Sequence, residues 1–391
     1  MAPTDGPIAS ISEPGIKAEG PVLSTMRREV ADLLGRNQLG FPGAQPVSFA
    51  RQHLEELTRQ DYYVCEKSDG IRYLLYSTSD EAGQEAHYLV DRKNDYWFVN
   101  NRNLHFPVPG SHEQFHVQTI TDGELVWDTM PDGHREPRFL IFDCLVMDGQ
   151  NLMDRTLDKR LAYVKERLFT PYKRLLKEFP DERQFQPFFM EMKPFQLAYG
   201  IEMMFKQVLP SLTHGNDGLI FTCRNTPYRH GTDPHILKWK PPEENTVDCR
   251  LRLSFPTVEP TDEERASGGF PSAGPFVDYD SVPRSELFVF AGGSGPDPYD
   301  WFAEVYISPE EWETLKALGD PLNDRIVECN QDDQGRWRVV RFRDDKNEAN
   351  HRSTVASVLS SIRDRVSDKD LLKSATRIRD SWKARQARGG K

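Results

Sequence analysis

Between residues 41 and 241 short apolar runs alternate with polar turn residues, and the runs have the make-up of strands. YYVCEK, RYLLYS, AHYLVDR, YWFVN, TDGELVWD and RFLIFDCLVMDG follow one another, rich in aromatic or branched residues and bounded by Gly, Asp, Asn or Ser. The period lengthens to that of helices at about 157–179 and 198–208, and strands return as DGLIFTCRN and HILKWKP. Strands in series broken by two helical stretches predict an α+β domain with antiparallel sheets over residues 23–243. At its start, LSTMRREVADLLG reads as a helix capped by Ser24 or Thr25 and closed by Gly35. Residues 1–22, rich in Pro, Gly and Ser, read as disordered.

Past KPPEENTVDCRLRLSF the pattern changes. PTVEPTDEERASGGFPSAGPF is of low complexity, and residues 256–285 are expected to form a flexible insertion. Around it SELFVFAGG, DWFAEVYIS, a helix in PEEWETLKALG and a hairpin in DRIVECNQDDQGRWRVVRFR have the spacing of a small barrel of the OB type over residues 244–349. A helical pattern and a basic tail fill residues 350–391, and no internal repeat is evident.

Composition narrows the class. With 391 residues, 37% apolar and 11% aromatic, the chain can build two or three domains with real cores. The first two dozen residues carry no secretory pattern and no run approaches the ~20 apolar residues of a membrane span, so a soluble chain with no membrane partner is expected. Cys65, Cys144, Cys223, Cys249 and Cys329 lie far apart, which suits buried thiols in a reducing compartment. A net charge of -11 argues against a basic coat for bulk nucleic-acid binding and leaves room for a local groove. No G-x-x-x-x-G-K-[ST], H-E-x-x-H or strand-bound G-x-G-x-x-G occurs, so a nucleotide would be held by other devices.

One string carries chemistry beyond its turn signal. In CEKSDGIRY, Ser68, Asp69 and Gly70 predict a turn joining two strands as a hairpin, with Lys67 beside it. Lys-x-Asp-Gly alone arises by chance too often to decide anything. Yet EKSDGIRY, YLVDRKNDYWFV, TDGELV, RFLIFDCLVMDG, NDGLIF, HILKWKP and WRVVRFRDDK occur in this order. Together they resemble the covalent nucleotidyltransferases, the superfamily of ATP-dependent ligases and mRNA capping enzymes. FPGAQPVSF and the Trp337-headed WRVVRFRDDK narrow the resemblance to the GTP:RNA guanylyltransferases, and with no C-x-x-x-x-x-R phosphatase signature ahead of Lys67 the stand-alone fungal type is expected. It runs from about residue 41 to the end of the barrel, and implies a ligase-like nucleotidyltransferase domain, an OB-fold domain and a terminal helix.

The resemblance implies a reaction in two steps. Lys67 attacks the α-phosphorus of GTP, pyrophosphate leaves, and the resulting lysyl-GMP passes its GMP to the 5′-diphosphate end of nascent mRNA to make the GpppN cap. A lysine attacks as the free amine, which neighbouring cations favour. Arg92, Lys238 and Lys240 are carried over as those neighbours, which also neutralise the triphosphate. Asp69 belongs to the nucleophile string, Arg72 and Glu124 match ribose contacts, and Asp217 and Asp248 match acidic positions near lysine, phosphate or metal. Phe139 is carried over as the ring stacked on guanine with Phe142 in the core, the reverse being the alternative, and Lys193 matches the reader of the guanine edge. Arg341, Arg343, Asp345 and Lys346 match a patch that engages the β- and γ-phosphates on domain closure. Mg²⁺ or Mn²⁺ is implied, with no ligand set legible.

Two rivals stand beside this reading: an ATP-dependent polynucleotide ligase of the same superfamily, and a non-catalytic RNA or polymerase adaptor on the same fold. The implied partners are 5′-diphosphate RNA, a separate RNA triphosphatase and the phosphorylated C-terminal repeats of RNA polymerase II, which together imply a nuclear location.

Overall fold

A computed structural model of the chain describes residues 6–101, 103–260, 275–293, 297–344, 346–364 and 366–389. It divides into two compact units, residues 1–240 with 367–391, and residues 241–366.

The first unit holds two sheets. The larger runs in the order Ile16–Lys17, Tyr96–Phe98, Glu85–Val90, Ile71–Ser79, Thr119–Thr129, Arg135–Met147, Phe189–Met192, with Gln150–Asn151 paired to the long strand Arg135–Met147. The smaller runs Gln196–Leu197, Tyr62–Ser68, Asn216–Cys223, Gly231–Trp239, Ala44–Ser48. Pairing is antiparallel except where Phe189–Met192 joins Arg135–Met147 and where Ala44–Ser48 joins Gly231–Trp239. Both faces of the larger sheet are buried, which is why its strands read as continuous apolar runs. Tyr73 and Leu75 pack on one side with Phe139, Ile141 and Tyr172, while Leu74 and Tyr76 pack on the other with Val30, Leu34 and Ile120.

The helical stretch expected at 157–179 is an α-helix, Leu157–Tyr163, a wider π-turn, Val164–Phe169, and a second α-helix, Thr170–Glu178. The wide turn lies just ahead of Pro171, which has no N–H to give to an α-helical ladder.

Three expectations need correction. The expected SDG hairpin does not form: Tyr62–Ser68 belongs to the smaller sheet and Ile71–Ser79 to the larger, so the turn hands the chain from one to the other. Nor are residues 6–21 formless, residues 1–5 lying outside the described residues. Ile8 and Ile11 pack on the core, the Tyr73 hydroxyl donates to Ile11 O at 2.8 Å, and Ile16–Lys17 adds a strand. The first helix starts at Gly20 with Pro21 in its first turn, so Ser24 lies inside it and donates to Gly20 O, while Gly35 ends it at φ +63°. A sparse apolar content hid this segment, because its few contacts are made by isolated residues without a period. Third, residues 350–391 do not form one terminal segment. Helix Arg352–Asp364 packs in the second unit through Val355 and Ile362, whereas Asp368–Gly389 belongs to the first. There Arg385 pairs with Asp61 and Arg377 with Glu55, and Trp382 meets Tyr199 at 5.3 Å.

The second unit is a five-stranded antiparallel sheet in the order Tyr299–Glu304, Arg284–Phe290, Val247–Ser254, Ile326–Gln331, Trp337–Phe342. Its edges meet: Val305 bridges Trp337, and Tyr306 N–H donates to Trp337 O at 2.9 Å, closing the strands around Val247, Cys249, Leu251, Leu287 and Val327. Of the insertion, Thr257–Val258 pairs with Phe276–Val277, and residues 261–274 lie outside the described residues. All five cysteines are buried thiols. Among the described residues no helix is long and apolar enough to cross a membrane.

Candidate active site

Strand Tyr62–Ser68 delivers the lysine. Alternation along it turns Cys65 and Lys67 toward a cavity between the two sheets of the first unit and turns Glu66 and Ser68 the other way. The chain then passes through Asp69, whose N–H donates to Gly215 O at 2.8 Å, and Gly70. Gly70 is demanded by close approach. A Cβ there would lie 2.6 Å from both Leu125 O and Val126 Cγ1.

Around Lys67 the charges are ordered. Its Nζ donates to Asp217 Oδ1 at 2.6 Å, and Lys240 Nζ meets Asp217 Oδ2 at 2.6 Å. The register against Tyr62–Ser68 shifts between Asn216 and Leu219, the irregularity that contains Asp217. Burial pushes the Asp217 carboxyl up, but Lys67 and Lys240 prevail and hold it below the usual carboxylate range. Burial, then Lys67, Lys240 and Arg92, depress Lys238. Arg92 is itself depressed by burial and by Arg72. Clustered cations sharing few carboxylates are what a polyphosphate would neutralise.

The opposite wall is a clamp. Arg72 donates to Asp122 through Nε at 2.9 Å and Nη2 at 2.6 Å, through Nη1 to Ala44 O, and through Nη2 to the Tyr228 hydroxyl at 3.3 Å. Tyr228 in turn donates to Asp122 Oδ2 at 2.7 Å and accepts from Ala44 N–H at 2.8 Å. Phe41 and Phe142 lie on the guanidinium at 5.7 and 5.5 Å. FPGA thus braces Arg72, with Ala44 giving both backbone groups. The structure brings Arg72 to the cavity as expected, but with its donors turned to Asp122, Ala44 and Tyr228. Asp122 and Tyr228 were missed; Asp122 sits in plain view in TDGELV, whereas Tyr228 lies in a loop with no periodic signal.

Lys193 and Glu124 close the ring. Lys193 Nζ donates to Ser68 Oγ at 2.5 Å and Glu124 Oε2 at 3.2 Å, and Ser68 Oγ also donates to Glu124. Burial depresses Lys193, yet Glu124 and Glu66 raise it above its ordinary value, so it stays an ammonium.

The aromatic assignment is reversed. Phe139 is 0% exposed, packs on Phe188 at 6.0 Å and fills the space left by Gly123, where a Cβ would come within 2.4 Å of its ring. Phe142 lines the cavity, 5.6 Å from Lys193 Nζ. It is the extra residue of a β-bulge, since Asp122 pairs with Asp143 and Gly123 with Ile141. Alternation alone separates the two rings but does not say which face is the core.

The remaining expected residues lie in the second unit. Asp248, 6% exposed, accepts from Arg343 Nη1 at 3.0 Å, from Lys346 Nζ and from Asn350 Nδ2 at 3.3 Å. Arg341 donates to Glu328 Oε2 at 2.6 Å. Asp345 lies outside the described residues.

A lysine set among cations between two mixed sheets, followed by a small closed barrel, defines a nucleotidyltransferase architecture. The chain belongs to the mRNA capping enzyme family: the model of the catalytic domain matches residues 10–242 and that of the C-terminal domain residues 244–372. It is 60% identical to the mRNA-capping enzyme subunit alpha of Neurospora crassa, over 97% of this chain and 95% of that protein. The protein of the same name from Schizosaccharomyces pombe is 44% identical over 98% of this chain and 91% of that protein, and the one from Yarrowia lipolytica 44% over 96% and 92%. Among solved structures, mycobacterial DNA ligase D complexed with ATP and MES covers 78% of this chain and 95% of that chain at 16% identity, with a TM-score of 0.36.

Proposed function

We propose that this chain is an mRNA guanylyltransferase whose nucleophile is Lys67. The observation that carries the reading is the position of Lys67 Nζ, 2.6 Å from Asp217 and backed by Lys238, Lys240 and Arg92, in a member of the capping family. Asp217 orients Lys67 Nζ through the hydrogen bond it accepts; Lys67 gives a proton to solvent, a loss that neighbouring Lys238, Lys240 and Arg92 favour, and the free amine attacks the α-phosphorus and sheds a second proton to solvent while those cations hold the phosphates. The P–N bond forms as the bond to the β-phosphate oxygen breaks, and pyrophosphate carries away the electron pair. The diphosphate end of an RNA then displaces the lysine amine.

Phe142 offers its face to guanine, with Lys193 at the base edge. Arg72 and Glu124 face the ribose, Arg72 presenting what its bonds to Asp122, Ala44 and Tyr228 leave over. Asp217 would be the nearby hard oxygen donor for a Mg²⁺ or Mn²⁺ ion carried on the nucleotide, and such an ion would supply positive charge for the departing pyrophosphate. Arg341, Arg343 and Lys346 act on the departing pyrophosphate. The subunit alpha naming of the relatives supports a partner subunit, read here as an RNA triphosphatase. Docking on phosphorylated polymerase repeats and a nuclear location follow from action on nascent transcripts.

The test is transfer. Protein is loaded with α-labelled GTP or ATP, freed of nucleotide, and given 5′-diphosphate RNA. Label from GTP should move to the RNA as a phosphatase-resistant cap. Label from ATP that instead moves to the 5′-phosphate of a nicked strand and is released as AMP when the nick is sealed would establish the ligase reading.

A further inference from the structure

Glu66 takes no part in the chemistry above. It directly precedes Lys67 yet points to the other side of the strand, 1% exposed, and its Oε2 has no hydrogen-bond partner. A carboxylate withdrawn from water persists where a cation answers it. That cation is Lys193, whose Nζ lies 3.7 Å from Glu66 Oε1 and 3.4 Å from Glu66 O. Behind the carboxylate stands His214, with Nε2 3.9 Å from Glu66 Oε1 and Nδ1 2.8 Å from Asp128 Oδ1. Glu124, the other acid on Lys193, lines the cavity and is open to an incoming ligand, whereas Glu66 is not among the residues that line it. A nucleotide that engages Glu124 leaves Glu66 as the counter-charge that stays.

We propose that Glu66 is a positioning residue for base selection. It anchors Lys193 from beneath, so that the ammonium stays 5.6 Å from the centre of the Phe142 ring, where a purine bearing an oxygen at its six-position gains a charge-assisted hydrogen bond. This rests on the reading of the cavity as a guanine nucleotide site.

The experiment compares covalent adduct formation from GTP with that from 2-aminopurine riboside triphosphate, which keeps the 2-amino group and lacks the six-position oxygen. The readout is the ratio of the two kcat/KM values, which a general loss of stability does not move. Lys193→Ala fixes the ratio without the ammonium. Glu66→Gln should lower the preference for GTP about tenfold, the scale of one weakened charge-assisted bond. In the Lys193→Ala background the same substitution should leave the ratio where it was. No drop in the first case, an equal drop in both, or a ratio that Lys193→Ala does not change would each overturn the proposal. Should Glu66→Gln not fold, Glu66→Asp keeps the charge and withdraws it by one methylene, and an intermediate drop that needs Lys193 is expected; an unchanged ratio again refutes it. Wild-type protein that forms no adduct with either nucleotide would instead sink the reading of the cavity itself.

Discussion

Phe139 and Phe142 lie on one strand and are expected to respond to truncation in opposite ways. Phe139→Ala empties a fully buried ring site over Gly123, so it should cost about 3–5 kcal/mol of stability in denaturant unfolding. Phe142→Ala removes a face that any purine can use. It should weaken GTP and ATP use alike by about 1–3 kcal/mol and leave the unfolding midpoint near wild type. The opposite pairing of effects would restore Phe139, the ring that the resemblance implied, as the one stacked on guanine. Lys67, Arg72, Glu124 and Lys193, which line the cavity, were legible because they sit in short ordered strings that resemble a known family. The bulge at Phe142 was not, since it depends on how Thr119–Thr129 pairs with Arg135–Met147, a fact about two strands at once.

Among the elements, strand Glu85–Val90 opens on a titrating contact far from the proposed chemistry. Burial pushes the Glu85 carboxyl up, but His105 at 2.5 Å and His87 at 3.2 Å outweigh it and bring the pKa to about 2 from its ordinary 4.5. His105 is raised in turn, since Glu85 and the carbonyl of His112 outweigh its burial. A depressed carboxylate stabilises the fold fully above its unfolded pKa and ceases to do so as the pH falls through its folded value. The Glu85 contribution, roughly 3–4 kcal/mol at ~1.4 kcal/mol per unit, should therefore fade between pH 4.5 and about 2. The His105 contribution has the opposite sign, present at low pH and lost as the pH rises through the raised histidine value. Glu85→Gln should show a shallower acid limb in urea unfolding measured across this window. Parallel limbs for wild type and variant would remove the pair from the stability of this sheet. Strand positions were readable from runs such as RYLLYS and TDGELVWD because period and punctuation are local. The sheet to which each belongs was not, which is why an apparent hairpin at Ser68–Ile71 became a crossing between sheets.

At the scale of the whole molecule, the second unit is inserted into the first, with the chain crossing at 240–241 and again at 366–367. The boundary expected at 243–244 lies close to the first crossing, although the change of composition itself comes only past residue 255; the return of helix Asp368–Gly389 to the first unit rests on long-range pairs such as Arg385 with Asp61, invisible to local pattern. Arg343 and Lys346 are held by Asp248 within the second unit, a reservoir of positive charge that a leaving pyrophosphate would draw on. Arg343→Ala and Lys346→Ala should each slow adduct formation by on the order of 10²-fold. Adduct accumulated slowly by these variants should then transfer GMP to diphosphate-ended RNA near the wild-type rate, because no β- or γ-phosphate remains. An equally severe defect in transfer would assign these residues to RNA or to the fold.

Lys67 is the proposed covalent nucleophile, and every other role depends on it. Protein incubated with α-labelled GTP and Mg²⁺ or Mn²⁺, run on a denaturing gel and digested for mass spectrometry, should carry an acid-labile GMP on the peptide containing Lys67. Lys67→Ala should carry none, and Lys67→Arg none either, since a guanidinium stays protonated and cannot attack. A labelled band that survives in either variant, or GMP found on another residue of the wild-type protein, would contradict it.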